Sequence, residues 1–429
     1  MRRALRLLTL AVLAAAISCS RQNAPAPAEQ AATRLTLDEV WSLRQARDFF
    51  TLRDRLTIAR DTTSAAALYA RGVVEHGMNH PAESNDALAR LRRTGGISDS
   101  LVADAWELTM SNDLRLGAYA HGAAIADSLL SGRFALDSLR ELDARNTQRI
   151  FHALAGIPPT TATSSGASLV TLVGGDIPVH VGDSARAYGF DTGANLSVLM
   201  RSEAAALGLR VIPAGIDVGS STAHRVTADL AVAPRLRIGR MEFHDVVFLV
   251  MDDAMLTFPG GFRIPGIIGF PVIERMGEIR LTGRKSLAVP ATIPVRTQGN
   301  LALDELTLLT PVKREGRPLL CRLDTGAGSS EVYDRFYRKY RPLIDSTTTT
   351  AQRRIGGAGG IQLLPVRVAP RAQLAVGDTT VTLTSLDVVT ISLVRDEKEN
   401  YLDCNLGHDV FDQFAELVVN FRDMAVLLQ

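Results

Sequence analysis

Residues 190–199 read FDTGANLSVL, and residues 322–333 read RLDTGAGSSEVY. In each, a short apolar run leads into Asp-Thr-Gly-Ala, and small polar residues follow. A strand that delivers the Asp, a Gly that turns the backbone tightly beneath the carboxylate and a Thr able to hydrogen-bond a facing loop make an ordinary surface acid when they occur once. Occurring twice, they can meet about an approximate twofold axis. Two carboxylates in contact repel as like charges and hold one proton between them, so one can take a proton from water while the other polarises a carbonyl.

The surroundings of the two stretches repeat as well. Asp191 and Asp324 are 133 residues apart, the VAPR tetrapeptides beginning at Val232 and Val368 are 136 apart, and Gly269 and Gly407 are 138 apart. Near-constant offsets between unlike landmarks indicate an internal duplication. This part of the chain alternates apolar and polar residues between glycines, as in LVTLVGG (169–175), DIPVHV (176–181) and DVVFLVM (245–251), which is strand chemistry with tight turns. We expect two homologous lobes, 169–290 and 291–429, joined near VPATIPV (289–295).

The preceding region has a different period. From Thr36 to Ala155 apolar residues recur at three and four, as in Leu37, Val40 and Trp41, then Leu68, Tyr69 and Val73, with Pro81 placed as a first-turn residue. Breaks at Asp61-Thr62-Thr63, Asn79-His80-Pro81, Gly95-Gly96 and Ser131-Gly132 divide it into short helices. An all-helical domain of antiparallel hairpins over 36–156 is expected, with a Pro/Thr/Ser/Gly linker at 157–168. Its spacing resembles tetratricopeptide-type repeats; it could present a surface to a protein partner or serve only as a packing domain.

At the start, Arg2, Arg3 and Arg6 precede an apolar run from Leu7 to Ile17, too short for comfortable membrane spanning, which reads as a secretory signal. Cys19 after small residues resembles a bacterial lipobox closing a signal peptide over 1–19, which implies cleavage before Cys19 and lipid attachment at Cys19, with 20–35 as a flexible tether. An exported protein held at the bacterial cell envelope by its first residue is expected. Composition agrees with globular domains: 46% of the 429 residues are hydrophobic, 22% are charged, and the formal charge of +1 offers no electrostatic reason to bind nucleic acid.

The two Asp-Thr-Gly-Ala stretches resemble the active-site segments of aspartic proteases of the pepsin and retroviral type, and FDTGANLSVL is similar to the retroviral form. That family pairs each such segment with an apolar motif ending in Gly, and both lobes have one: IPGIIGFPVI with Gly269, and CNLGHDVF with Gly407. Arg354-Ile355-Gly356-Gly357-Ala358-Gly359-Gly360 resembles the glycine-rich retroviral flap, and Val218-Gly219-Ser220-Ser221 is its first-lobe counterpart. The resemblance implies a mainly β, bilobal fold of two barrels behind the helical domain. It also implies a peptide-hydrolysing dyad of Asp191 and Asp324, held by Thr192, Gly193, Ala194, Thr325, Gly326 and Ala327, acting on a polypeptide with water as nucleophile. No metal or organic cofactor is implied, and because one chain holds both lobes, a monomer completes the site.

Departures from the family pattern carry their own expectations. Ala194 and Ala327 offer no hydroxyl to the carboxylates, so the dyad should titrate higher than a pepsin's. Ile267 and Asn405 occupy equivalent places and should line subsites, the second more polar. Arg322, two residues before Asp324, should share its face and line a subsite where lobe 1 has Gly189. Cys321 and Cys404 should lie on neighbouring strands, as a disulfide or as two buried thiols; their first-lobe equivalents are Tyr188 and Gly266. His76 and His80 with Glu75 could share a helical face as metal ligands, although solvated histidines are the expected reading. Gly182-Asp183-Ser184 should turn between strands. The rival from another class is a catalytically silent or partner-activated peptide-binding lipoprotein, against which stand the intact Asp, Thr and Gly of both lobes.

Overall fold

A computed structural model describes residues 34–219, 226–357, 360–391 and 401–429. Helices come first: α1 (Leu37–Gln45), α2 (Phe49–Ile58), α3 (Ala65–Gly77), α4 (Pro81–Arg93), α5 (Asp99–Leu116), α6 (Tyr119–Leu129) and α7 (Ser138–Leu154). Their starts are set by side chains that accept otherwise unpaired backbone N–H groups, Thr36 for α1, Ser64 for α3, Ser98 for α5 and Asp137 for α7. The apolar residues read from the period, among them Val40, Tyr69, Val73, Leu88 and Leu91, are buried. Among the described residues no helix is long and apolar enough to cross a membrane.

Strands follow. The first half contains β1 (Thr161–Ser164), β2 (Ser168–Thr171), β3 (Ile177–Val181), β4 (Ser184–Phe190), β5 (Ser197–Met200), β6 (Val211–Val218), β7 (Val226–Ile238), β8 (Met241–Met251), β9 (Gly266–Ile268), β10 (Glu278–Thr282) and β11 (Ser286–Val289). The second contains β12 (Ala302–Asp304), β13 (Thr307–Arg314), β14 (Arg317–Leu323), β15 (Glu331–Val332), β16 (Thr349–Gly357), β17 (Gly360–Val376), β18 (Thr379–Val389), β19 (Cys404–Leu406), β20 (Leu417–Asn420) and β21 (Ala425–Leu428).

The duplication is visible in the strand order. In lobe 1, β3-β4-β9-β5-β8-β7 are consecutive neighbours, and β7 closes the ring by pairing with both β3 and β8; in lobe 2, β13-β14-β19-β15-β18-β17 do the same through β13 and β17. Both rings contain the same two parallel pairings, β4 with β9 and β5 with β8, then β14 with β19 and β15 with β18. Closure leaves each ring without unpaired edges and fills its inside with the apolar face of every strand. The hairpin arm β6 extends from lobe 1 at the position that β16 takes in lobe 2.

Two expected boundaries differ in the structure. The 157–168 segment is not only a linker: its Thr-rich stretch forms β1, which pairs antiparallel with β8 from Thr161↔His244 to Ser164↔Met241. Nor do the lobes part cleanly at 290, because β10 pairs with β20 in a separate sheet of order β2-β11-β10-β20-β21. At that seam the buried Glu278 is held by Arg296 at 2.9 Å and Asn420 at 2.8 Å.

The helical region is fastened to both lobes. Arg44 and Arg47 each reach the buried Asp304 at 3.1 Å, and Asn79 donates to the carbonyl of Phe421 at 2.8 Å. On the other side Asn146 of α7 pairs with the backbone of Asp217 in β6, donating to its carbonyl at 3.0 Å and accepting from its N–H at 3.1 Å, while Arg149 donates to the Gly215 carbonyl at 2.6 Å. Leu52, Tyr69 and Leu108 share one apolar cluster with Leu309 and Tyr333 of lobe 2.

Candidate active site

The strands β4 and β14 end one residue before Asp191 and Asp324, and the loops that follow are built alike. The Asp191 N–H donates to the Ile268 carbonyl at 3.0 Å and that of Asp324 to the Leu406 carbonyl at 3.1 Å. Ser197 Oγ accepts from the Gly269 N–H at 3.0 Å, and Ser330 Oγ accepts from the Gly407 N–H at 2.9 Å. This close approach is why both apolar motifs end in Gly: a Cβ on Gly269 would lie 2.7 Å from the Ser197 nitrogen, and one on Gly407 would lie 2.8 Å from the Ala327 carbonyl oxygen.

The loops then lock together across the axis. Thr192 Oγ1 accepts from the Thr325 N–H at 3.0 Å and donates to the Leu323 carbonyl at 2.8 Å. Thr325 Oγ1 accepts from the Thr192 N–H and donates to the Phe190 carbonyl, both at 3.0 Å. A Cβ on Gly193 would lie 2.6 Å from Asp324 Cγ, and one on Gly326 would run into the Asp191 carboxyl, so the glycines leave room for the opposite acid. The two carboxyl groups come within hydrogen-bonding reach of each other. Burial, then the charge of Asp324, push Asp191 well above the ordinary carboxyl range, against the Gly193 N–H that donates to it at 2.7 Å and the nearby charge of Arg322.

Around this frame the two lobes differ. Ile267 stands in register with Gly189 on one side and Val198 on the other. The equivalent Asn405 stands between Arg322 and Glu331. Asn405, expected to line a subsite, donates from Nδ2 to Asp324 Oδ2 at 3.0 Å. Alternation along β19 was the available signal, since it put Asn405 beside the Asp loop, but only the packed strands bring its amide to the carboxylate.

Cys321 and Cys404 face each other in register and are joined as a disulfide with their Cα atoms 4.5 Å apart. In lobe 1 the same place is filled by one large ring: a Cβ on Gly266 would lie 2.8 Å from Tyr188 Cδ1. Gly219 follows β6, and Gly356, Gly357 and Gly360 close the β16–β17 hairpin, with Gly357 paired to Gly360. A Cβ on Gly356 would sit 3.8 Å from Phe258 Cε1, so this hairpin reaches over to lobe 1. Ser220, Gly359 and Cys19 lie outside the described residues.

His76 is not a solvated histidine. It is fully buried, with Nδ1 2.8 Å from Asn112 Oδ1 and Nε2 accepting from the Glu305 N–H at 3.2 Å. Burial, then the neighbouring Arg115, lower its pKa to about 3, so it is a neutral strut between the helices and lobe 2. His80 sits 2.8 Å from Glu75. Gly182, at φ +57, turns the chain between β3 and β4 as expected.

Residues 177–272 match the family model described as aspartyl protease. That match spans β3 to the helix after β9 and includes Asp191; Asp324 lies in the second lobe, which repeats the strand order of the first. Among solved structures the chain is similar to a retropepsin-like aspartic protease from Rickettsia conorii, at 19% identity over 32% of this chain and 98% of that one, with a TM-score of 0.21. No curated protein matches the chain.

Proposed function

We propose that the chain is an aspartic endopeptidase whose dyad is Asp191 and Asp324. The observation that carries this reading is the symmetric meeting of the two Asp-Thr-Gly loops, which leaves two carboxyl groups in mutual contact with the space between them kept by Gly193 and Gly326. Like charges at that separation favour a singly protonated pair. The ionised member takes a proton from water as the water oxygen bonds to the peptide carbonyl carbon; the protonated member gives its proton to the carbonyl oxygen. The resulting gem-diol collapses when the amide nitrogen gains a proton from the pair, the C–N bond breaks, and a diol hydroxyl returns a proton to the vacated carboxylate.

The test is cleavage of a mixed peptide library by the full chain from pH 3 to 8, alongside Asp191→Asn and Asp324→Asn. Cleavage that either substitution alone abolishes is expected. Binding of peptides without cleavage by all three proteins would instead mark a receptor. We also propose export and lipid attachment at Cys19, which predicts incorporation of labelled fatty acid that Cys19→Ala removes.

A further inference from the structure

Ile267 and Asn405 occupy equivalent positions beside the two aspartates, and only the second carries a hydrogen-bond donor. Asp324 therefore accepts three N–H groups, from Gly326 at 2.9 Å and Ala327 at 3.0 Å on Oδ1 and from Asn405 at 3.0 Å on Oδ2. Asp191 accepts from Gly193 at 2.7 Å, and the Ile267 side chain opposite has nothing to donate. Donors aimed at a carboxylate favour its charged form, so where two acids compete for one proton the acid with more donors is the one that stays ionised.

We propose that Asn405 is a positioning residue that breaks the symmetry of the dyad, holding Asp324 as the ionised member so that the resting proton resides on Asp191. This rests on the reading of the pair as a protease dyad and separates the roles of the two acids. Asp324 deprotonates the water, and Asp191 protonates the carbonyl oxygen. Ala194 and Ala327 supply no hydroxyl to either carboxylate, and lobe 2 adds a side-chain donor to Asp324 from β19. Among the described residues, other charged or titratable groups near the pair are Arg322 on β14, Glu331 on β15, His408, whose Nε2 is 3.0 Å from the Thr325 carbonyl oxygen, and Asp409, which accepts from the Ser330 N–H at 2.8 Å. Arg284 approaches from lobe 1, with Nη2 3.6 Å from where a Gly328 Cβ would stand. Except for Arg284 these groups belong to lobe 2; Arg322 also acts on Asp191 through its charge, and the Asn405 amide donates directly to the Asp324 carboxylate.

The experiment is a pH titration of the full chain labelled with ¹³C at aspartate carboxyls, with Asp191→Asn and Asp324→Asn used to assign the two signals. In wild type, Asp324 should show the ionised position at pH values where Asp191 shows the protonated one. Asn405→Ile should move the ratio of the two singly protonated forms about tenfold towards a proton on Asp324, the factor that one pKa unit represents. The exchange Ile267→Asn with Asn405→Ile should move it further, because the donor then serves Asp191; this variant also keeps the composition of the pair of sites. With peptide substrate, the acidic limb of kcat/KM should move to higher pH in Asn405→Ile. Protonation of Asp324 in wild type, or an unchanged ratio in both folded variants, overturns the proposal. Because the signals are read without substrate, absence of cleavage would count against the proposed function and leave the spectra to decide where the proton sits.

Discussion

Thr192 and Thr325 accept each other's backbone N–H at 3.0 Å and donate into each other's strand ends, so each lobe supplies half of the frame that holds the other's aspartate. The site is thus a property of the interface between lobes. Neither lobe alone can fix the separation of the acids, since both hydroxyl groups and both Gly positions act across the axis.

Thr192→Ala should remove two buried hydrogen bonds and leave the Thr325 N–H without its acceptor, at a cost of about 2–3 kcal/mol. Thr325→Ala should cost a similar amount by symmetry. Cleavage should fall at least tenfold in both, while Thr192→Ser, which keeps donor and acceptor, should stay near wild type. Denaturant unfolding read beside peptide cleavage checks this; an unequal pair of losses would contradict the symmetric frame.

Stability should carry the signature of Asp191. Its carboxyl is raised in the folded chain from the ordinary 3.8, so the native state binds this proton more tightly than the unfolded chain. That contribution is fully present below the ordinary value and is lost as pH rises through the raised one, each unit of elevation being worth about 1.4 kcal/mol. Asp191→Asn has no such proton to lose. The variant's melting temperature should therefore gain on wild type as pH increases from 4 to 8, and a constant difference across that range would refute the raised carboxyl.

The bond between Cys321 and Cys404 closes a loop across a sequence separation of 83 residues, for which chain entropy gives about 4.5 kcal/mol. Reductant, or Cys321→Ser with Cys404→Ser, should lower the unfolding midpoint. Cleavage should weaken too, because the adjacent register pair is Arg322 and Asn405. Thiol counting of the unfolded chain before and after reduction supplies the control.

Asn146 clamps the backbone of Asp217 in the arm that leads towards Gly219. Asn146→Ala should release that strand, speeding amide exchange of residues 211–218 about tenfold, while exchange in 349–357 of the lobe-2 hairpin stays the same; a combined net loss of about 1.4 kcal/mol from the two hydrogen bonds corresponds to that factor. Equal acceleration of both hairpins would mean general loosening instead of a local clamp. The helical region would then have no selective hold on the lobe-1 arm.

Much of this was legible in the chain itself, because the features concerned are periodic or repeated. The helical period of 36–156, the strand alternation beyond it and the offset of 133 residues between Asp191 and Asp324 are one-dimensional properties, and each follows from local backbone geometry or from copying of a segment. Cys321 and Cys404, or Tyr188 and Gly266, could be matched in advance because their spacing from a shared landmark put them on adjacent strands. Other features depend on surfaces that approach only when the chain is folded. Thr161–Ser164 looked like a linker because a four-residue edge strand has little pattern of its own; β8 makes it a strand. His76 looked solvated because its helix does not announce that lobe 2 will cover it, with Asn112 and the Glu305 N–H as its partners. The shared β10–β20 sheet and the amide of Asn405 on Asp324 belong to the same class. Sequence determined which residues could be strands, turns and acids, since those preferences are local; tertiary structure decided which of two equivalent acids has the extra donor, since that contact joins β19 to a loop 81 residues away.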